Sequence, residues 1–149
     1  MFKVSLLEPQ IPQNTGNIGR LCAATSTPLD IVGNIGFKLT DRYLKRAGLD
    51  YWEFLEWRYH EDQQLYMAEL DPKKIHLFSA RAETTYTEKR FKPGDTLIFG
   101  SETRGISQRY LSQYPERCCT IPMSNPSVRS LNLSSSVAIV LYEAIRQNL

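Results

Sequence analysis

The sequence predicts an α/β fold, a largely parallel sheet flanked by helices, on three observations. Six short apolar runs fit strands, at residues 3–7, 30–32, 54–58, 75–79, 96–99 and 118–121. They alternate with five stretches of helical periodicity, at residues 17–26, 41–47, 62–70, 108–114 and 133–148, the pattern of strands joined by helical crossovers. Three turn-rich stretches, 8–17, 100–105 and 122–131, each follow a predicted strand. Open α/β sheets bind ligands beyond the carboxyl ends of their strands, so function is expected there. A chain of 149 residues with 42% apolar residues buries one ordinary core, which predicts a single domain over 1–149.

The first strand, 3–7, runs into a loop in which Pro9 and Pro12 stiffen the approach and Gly16 and Gly19 stand where a helix is expected to begin. A glycine-containing turn into a helix N-terminus exposes backbone N–H groups and suits a phosphate or another anion. Arg20 in the first turns could reach the same anion with its planar fork; the alternative is a capped helix with Arg20 solvated. The helix over 41–47 is expected to start at Thr40 as N-cap and stop at Gly48. Arg42, Lys45 and Arg46 share one of its faces, either as contacts to RNA phosphates or as solvated surface, and Tyr43, Leu44 and Ala47 share the other. Tyr51, Trp52 and Trp57 cluster after it, with packing the default over base stacking.

The apolar strand 96–99 leads into Gly100-Ser101-Glu102-Thr103-Arg104-Gly105. Gly100 allows close approach of a flat ligand, and Gly105 lets the chain turn back before Ser107 caps the next helix. Taken alone, this loop reads as a tight turn with Glu102 and Arg104 forming a surface ion pair. After strand 118–121, the hydroxyl and amide side chains of residues 122–136 could satisfy exposed backbone or a ribose, with Ser130 or Asn132 capping the last helix. In that helix Val137, Leu141, Ala144 and Ile145 fall on one face, which predicts packing on the sheet or on a partner subunit.

The net charge of +2 permits a polyanionic partner without requiring one. Cys22, Cys118 and Cys119 form no CxxC pair, and His60 and His76 lack spaced carboxylate or thiol partners, so neither a disulfide framework nor a metal site is expected. No GxGxxG and no Gly-Lys-Ser/Thr occurs, which removes the usual support for dinucleotide and P-loop readings. Charge interrupts the N-terminus too early for a signal peptide and no apolar run approaches membrane-span length, so a cytoplasmic protein is expected.

Three motifs in order, Asn14-x-Gly16-x-x-x-Arg20, then Phe99 to Gly105, then Ile121-Pro122-Met123 with Ser130-Leu131-Asn132-Leu133-Ser134, resemble those of the SPOUT methyltransferases. The opening Glu8-Pro9-x-Ile11-Pro12-x-Asn14-Thr15-Gly16-Asn17, with Arg46-Ala47-Gly48-Leu49-Asp50-Tyr51 and Tyr142-Glu143-Ala144, is similar to the tRNA (cytidine/uridine-34-2'-O)-methyltransferase branch. The resemblance implies a C-terminal trefoil knot, which threading rules alone would never predict. It implies S-adenosylmethionine held among three loops, at Phe78 and Ser79, at Gly100, and at Ile121 and Met123, with Ser130 and Leu131 closing the pocket. It implies a homodimer in which Arg20 and Asn14 reach across the interface, with Asn14 also an RNA contact, and a tRNA anticodon loop as substrate. Arg20 is the expected catalytic residue and Tyr142 the second. A guanidinium stays protonated to about pH 12, so orientation of the ribose hydroxyl and its phosphate is the safer role for Arg20 than proton abstraction. Two departures stand out: the third-motif loop is about one residue longer than in close relatives, and Ser79-Ala80-Arg81-Ala82 occupies the place where relatives often carry a Lys-Gly pair. Methylation of ribosomal RNA, or RNA binding without turnover, are the alternatives.

Overall fold

The computed structural model describes residues 1–40 and 51–149. The helix expected over 41–47, with Arg42, Lys45 and Arg46, lies outside the described residues. In chain order the elements are β1 (Lys3–Leu7), α1 (Pro12–Ala24), β2 (Leu29–Val32), β3 (Trp57–His60), α2 (Gln63–Glu69), β4 (Ile75–Phe78), β5 (Thr96–Phe99), α3 (Gln108–Gln113), β6 (Cys118–Cys119) and α4 (Leu133–Gln147). The strands form one sheet in the order β3-β2-β1-β5-β4-β6, and every pairing is parallel.

A parallel sheet must be covered on both faces, and its strands accordingly read as apolar runs without polar alternation. β2, β4 and β5 are buried at every position. On one face Val4, Leu6, Ile31, Leu97 and Phe99 pack with Ile18 and Cys22 of α1 and Val137, Val140, Leu141 and Ala144 of α4. On the other, Leu7, Val32, Leu77 and Ile98 pack with Tyr66 and Met67 of α2 and Tyr110 and Leu111 of α3. The expected apolar face of α4 therefore lies on the sheet and on α1, with Val137, Leu141 and Ala144 at 0% exposure.

Two expected boundaries move. α1 begins at Pro12, five residues ahead of the position read from the glycines, since proline at the first helical position gives up only an N–H that lacks a helical partner anyway. Gly16 and Gly19 are thus inside the helix, and the glycine turn expected to cradle an anion does not form. Gly19 serves packing instead: a Cβ there would stand 2.9 Å from Cζ3 of Trp52, whose ring lies on the helix and meets Trp57 at 5.2 Å. The third strand is displaced from 54–58 to Trp57–His60, because Tyr51 and Trp52 accept hydrogen bonds from the N–H groups of Phe54 and Leu55 in a turn. Only Leu55 of that run enters the core; Phe54 is 72% exposed.

Buried polar groups tie the sheet to its surroundings. Asp30 of β2 lies 2.9 Å from Lys3 Nζ and accepts a hydrogen bond from the Tyr66 hydroxyl at 2.7 Å. His76 of β4 sits edge-on to Phe91, with Nε2 2.8 Å from Asp95 Oδ2 at the entry to β5. Burial holds the His76 imidazole below its ordinary value of 6.5, against the opposing pull of Asp95. The folded protein then takes up a proton at His76 less readily than the unfolded chain does. That contribution to stability is fully present above pH 6.5 and is lost as the pH falls from there toward the folded-state value. The thermal unfolding midpoint should decline on acidification below about pH 6.5, ahead of carboxylate titration, and His76→Gln should flatten this part of the profile. An unchanged slope in the variant would rule out His76 as its source.

Candidate active site

The carboxyl ends of β4, β5 and β6 open into a cleft of about 220 Å³. Its walls are three loops, drawn from residues 79–81, 100–105 and 120–131. All seven residues expected around a cofactor, Phe78, Ser79, Gly100, Ile121, Met123, Ser130 and Leu131, line it together. Phe99 and Leu133 add apolar surface, while Arg81, Arg104 and Arg129 bring positive charge. An apolar wall beside cationic and hydroxyl groups suits a ligand with a flat ring at one end and a charged tail at the other, as S-adenosylmethionine has.

The middle loop folds back on itself. Gly105 N–H donates to the Ser101 carbonyl at 2.9 Å, and Gly105 takes a φ of 65°, open to glycine at little cost. The returning strand passes so close that a Cβ on Gly100 would stand 2.0 Å from Gly105 C and 2.2 Å from Ile106 N. No side chain fits at position 100 with this loop in place.

That turn delivers Glu102 to α1. The N-cap of α1 is Ile11, which offers no side-chain acceptor, and its first turn holds no acidic residue. N–H groups at a helix start need acceptors, and Glu102 serves the two just ahead of Pro12, reaching Gln10 from 92 positions away in sequence. One carboxylate oxygen accepts from Gln10 N at 2.8 Å; the other accepts from Ile11 N at 2.9 Å and Asn14 Nδ2 at 3.2 Å. Asn14 Oδ1 in turn accepts from Asn132 Nδ2 at 3.0 Å. Asn132 Oδ1 caps α4 by accepting from Ser134 N at 2.9 Å and Ser135 N at 3.3 Å. One chain of hydrogen bonds therefore runs from the start of α1 through the middle loop to the start of α4.

Several expectations change on this geometry. Glu102 is committed to α1 and makes no ion pair with Arg104 among the described residues. Asn14, expected to touch RNA, is 5% exposed and engaged at both ends of its amide, so it is a structural link within the chain. Tyr142, expected near the pocket, is 53% exposed on α4 and does not line the cleft of its own chain. Arg20 is likewise outside that lining, an exposed residue of α1 with its guanidinium 4.7 Å from the centre of the Tyr51 ring. Capping by Asn132 was among the readings open from sequence; its bond to Asn14 was not. Ile11 at an N-cap position is the one sequence-level sign that α1 needs an acceptor from elsewhere. The thiols are poor nucleophiles here, since burial pushes Cys22 and Cys119 up to about 12.

The profile of the SpoU rRNA methylase family matches residues 1–142. The chain is 43% identical to a tRNA (cytidine(34)-2'-O)-methyltransferase of Burkholderia pseudomallei, over 99% of this chain and 96% of that one. It is 44% identical to the protein of the same name from Methylovorus glucosotrophus, over 99% and 96%. A solved structure concerned with 2-OH methylation of C/U34 on tRNA superposes with a TM-score of 0.93 at 42% identity, covering 99% of this chain and 96% of that one. The AviRb methyltransferase of Streptomyces viridochromogenes, in complex with AdoMet, shares the fold at a TM-score of 0.84 and 22% identity, covering 99% of this chain and 57% of that one.

Replacing Glu102 by alanine strands two backbone donors and the Asn14 amide. Unfolding in urea should show a loss of about 1–2 kcal/mol, the low side of the range for bonds to a charged group because the carboxylate is partly solvated, with Glu102→Gln losing less. Parent-like stability of Glu102→Ala would show that water replaces the carboxylate at α1.

Proposed function

Since this chain belongs to the SpoU rRNA methylase family, we propose that it is a tRNA 2'-O-methyltransferase that transfers a methyl group from S-adenosylmethionine to the wobble ribose, at cytidine or uridine 34. The observation that carries this reading is the three-loop cleft, which gathers every residue expected around the cofactor, in a chain similar over 99% of its length to relatives bearing that name. The whole activity belongs to one SPOUT-type domain, 1–149, with a C-terminal trefoil knot.

Bound in the cleft, S-adenosylmethionine supplies an electrophilic methyl group on a sulfonium. The chain's own residues do the rest. Phe78, Ile121, Met123 and Leu131 offer the apolar surface for the adenine ring, Ser79 and Ser130 offer hydroxyls, and the close approach at Gly100 shapes the wall between them. Positioning the acceptor oxygen in line with the methyl group removes much of the barrier of such a transfer. Arg20 provides that positioning: its N–H donors hold the ribose 2'-oxygen and the adjacent phosphate, and stabilise the negative charge that develops as the hydroxyl proton leaves to solvent. Its guanidinium remains protonated throughout, so it orients and does not abstract.

Arg20 and Tyr142 both stand outside the cleft of their own chain, which supports a homodimer in which each subunit lends them to the partner's cleft. Ile139 and Tyr142, exposed together on α4 on the side away from the sheet, provide a surface for that contact. Arg42, Lys45 and Arg46 supply phosphate contacts to the anticodon stem and loop. A ribose hydroxyl as acceptor requires RNA, and an anticodon loop presents a nucleotide that can splay out of its stack. Among the described residues no helix is long and apolar enough to cross a membrane. A tRNA substrate supports a cytoplasmic location.

Incubation with S-adenosylmethionine and unmodified tRNA, followed by nuclease digestion and mass mapping, should yield a 2'-O-methyl mark at nucleotide 34. A mark confined to ribosomal RNA would defeat the assignment. Arg20→Ala should lower kcat by about a hundredfold or more while cofactor affinity, read by calorimetry, stays within about twofold. Light scattering at micromolar concentration should report a dimer; a monomer with full activity would remove the shared site.

A further inference from the structure

The loop after β4 and the loop after β5 form facing walls of the cleft, and among the described residues every hydrogen bond between them comes from Arg81. Its guanidinium donates through one terminal nitrogen to the Ile106 carbonyl and through the other to Gln108 Oε1 at 3.1 Å. The arginine is aimed by its own turn, in which Arg81 N donates to Ser79 Oγ at 3.1 Å and Ala82 N to the Ser79 carbonyl at 3.2 Å. The acceptor side is equally well fixed. Ile106 is 1% exposed, its backbone nitrogen lies against Gly100, and Gln108 is tied back to Ser112 at 3.0 Å within α3.

The other joins around the cleft do not duplicate this one. The first and third loops are laced by backbone bonds, Tyr86 N and Thr120 N donating to the carbonyls of Thr120 and Thr84 at 2.8 Å each. The middle loop reaches the third through Glu102, Asn14 and Asn132. Among the described residues only the join between the first and middle loops rests on a single side chain, and a planar fork that takes two acceptors at once fixes their spacing better than a single charge would.

We infer that Arg81 is a positioning residue for the cofactor: it straps the loop after β4 to the turn after β5 and so sets the width of the cleft. This rests on the reading that the cleft holds S-adenosylmethionine. A strap of this kind acts before chemistry, by preorganising the pocket, so its loss raises the cost of binding without altering the bound arrangement. It also gives a use to the Ser79-Ala80-Arg81-Ala82 stretch, which the transfer reaction itself does not employ beyond Ser79.

The test is calorimetric titration of the full chain with S-adenosylmethionine and S-adenosylhomocysteine, alongside steady-state kinetics. Arg81→Met should bind both about tenfold more weakly and raise the KM for cofactor by a similar factor, with kcat at saturating cofactor and KM for tRNA unchanged. Arg81→Lys, which keeps the charge and reaches one acceptor, should recover part of the affinity. Gln108→Leu, which leaves Arg81 itself in place, should weaken binding about two- to threefold and answers the question if Arg81→Met fails to fold. Parent-like cofactor affinity in Arg81→Met or in Gln108→Leu, or a fall in kcat that excess cofactor does not restore, would overturn the strap. Absence of binding to the unaltered protein would instead overturn the reading of the cleft, and the role of Arg81 with it.

Discussion

A helix that starts on Pro12 with isoleucine at its cap has no side-chain acceptor of its own there, and the Glu102 carboxylate, from the loop after β5, takes the N–H groups of Gln10 and Ile11 just ahead of it. Much else follows from this contact. For Glu102 to reach α1, the loop after β5 must fold tightly back, which requires Gly100 to have no side chain and Gly105 to take a positive φ. The same carboxylate holds Asn14, and Asn14 holds the cap of α4, so the two helices that cover one face of the sheet share one polar anchor at their N-termini. Below it the helices meet through apolar side chains, Ile18 and Cys22 against Val137, Val140 and Leu141. The polar anchor sets where along their lengths they meet, and the apolar contact supplies most of the energy.

The cleft is the by-product of that arrangement. Its three loops leave adjacent parallel strands, β5, β4 and β6, whose carboxyl ends point the same way. Parallel neighbours bring their following loops to one edge, and the edge becomes a pocket once the loops are tied to one another. The ties differ in kind: backbone lacing between the first and third loops, a carboxylate and two amides between the middle and the third, and one guanidinium between the first and the middle. A ligand that must be released after each turnover is better served by a pocket held partly by side chains than by one closed everywhere by backbone.

Pocket and chemistry divide the labour: in the proposed transfer the cofactor brings the electrophile and a guanidinium that only donates positions the acceptor. The strongly shifted groups answer to burial and to ion pairing: Cys22 and Cys119 are raised by burial in the core, and Glu143 is held down to about 2 on the surface by Arg146 and Gln147.

The sequence by itself determined what acts over a few residues. Apolar runs of four or five placed β1, β4 and β5 to within a residue, because a strand buried on both faces tolerates little else. Of the turn-rich stretches expected to carry the site, those after β5 and β6 line the cleft and 8–17 does not, the loop after β4 came only from the resemblance, and Asn132 was legible as one of two candidate caps, since turn and capping chemistry is local. Only the tertiary structure decided that Glu102 serves α1 and leaves Arg104 aside, that Asn14 faces inward, and that Arg20 and Tyr142 stand outside their own chain's cleft. The first two depend on a partner far along the chain, Gln10 and Glu102 being 92 positions apart and Asn14 and Asn132 118 apart. Local propensity holds no record of such partners, because the free energy that selects them exists only once the sheet has brought the loops together.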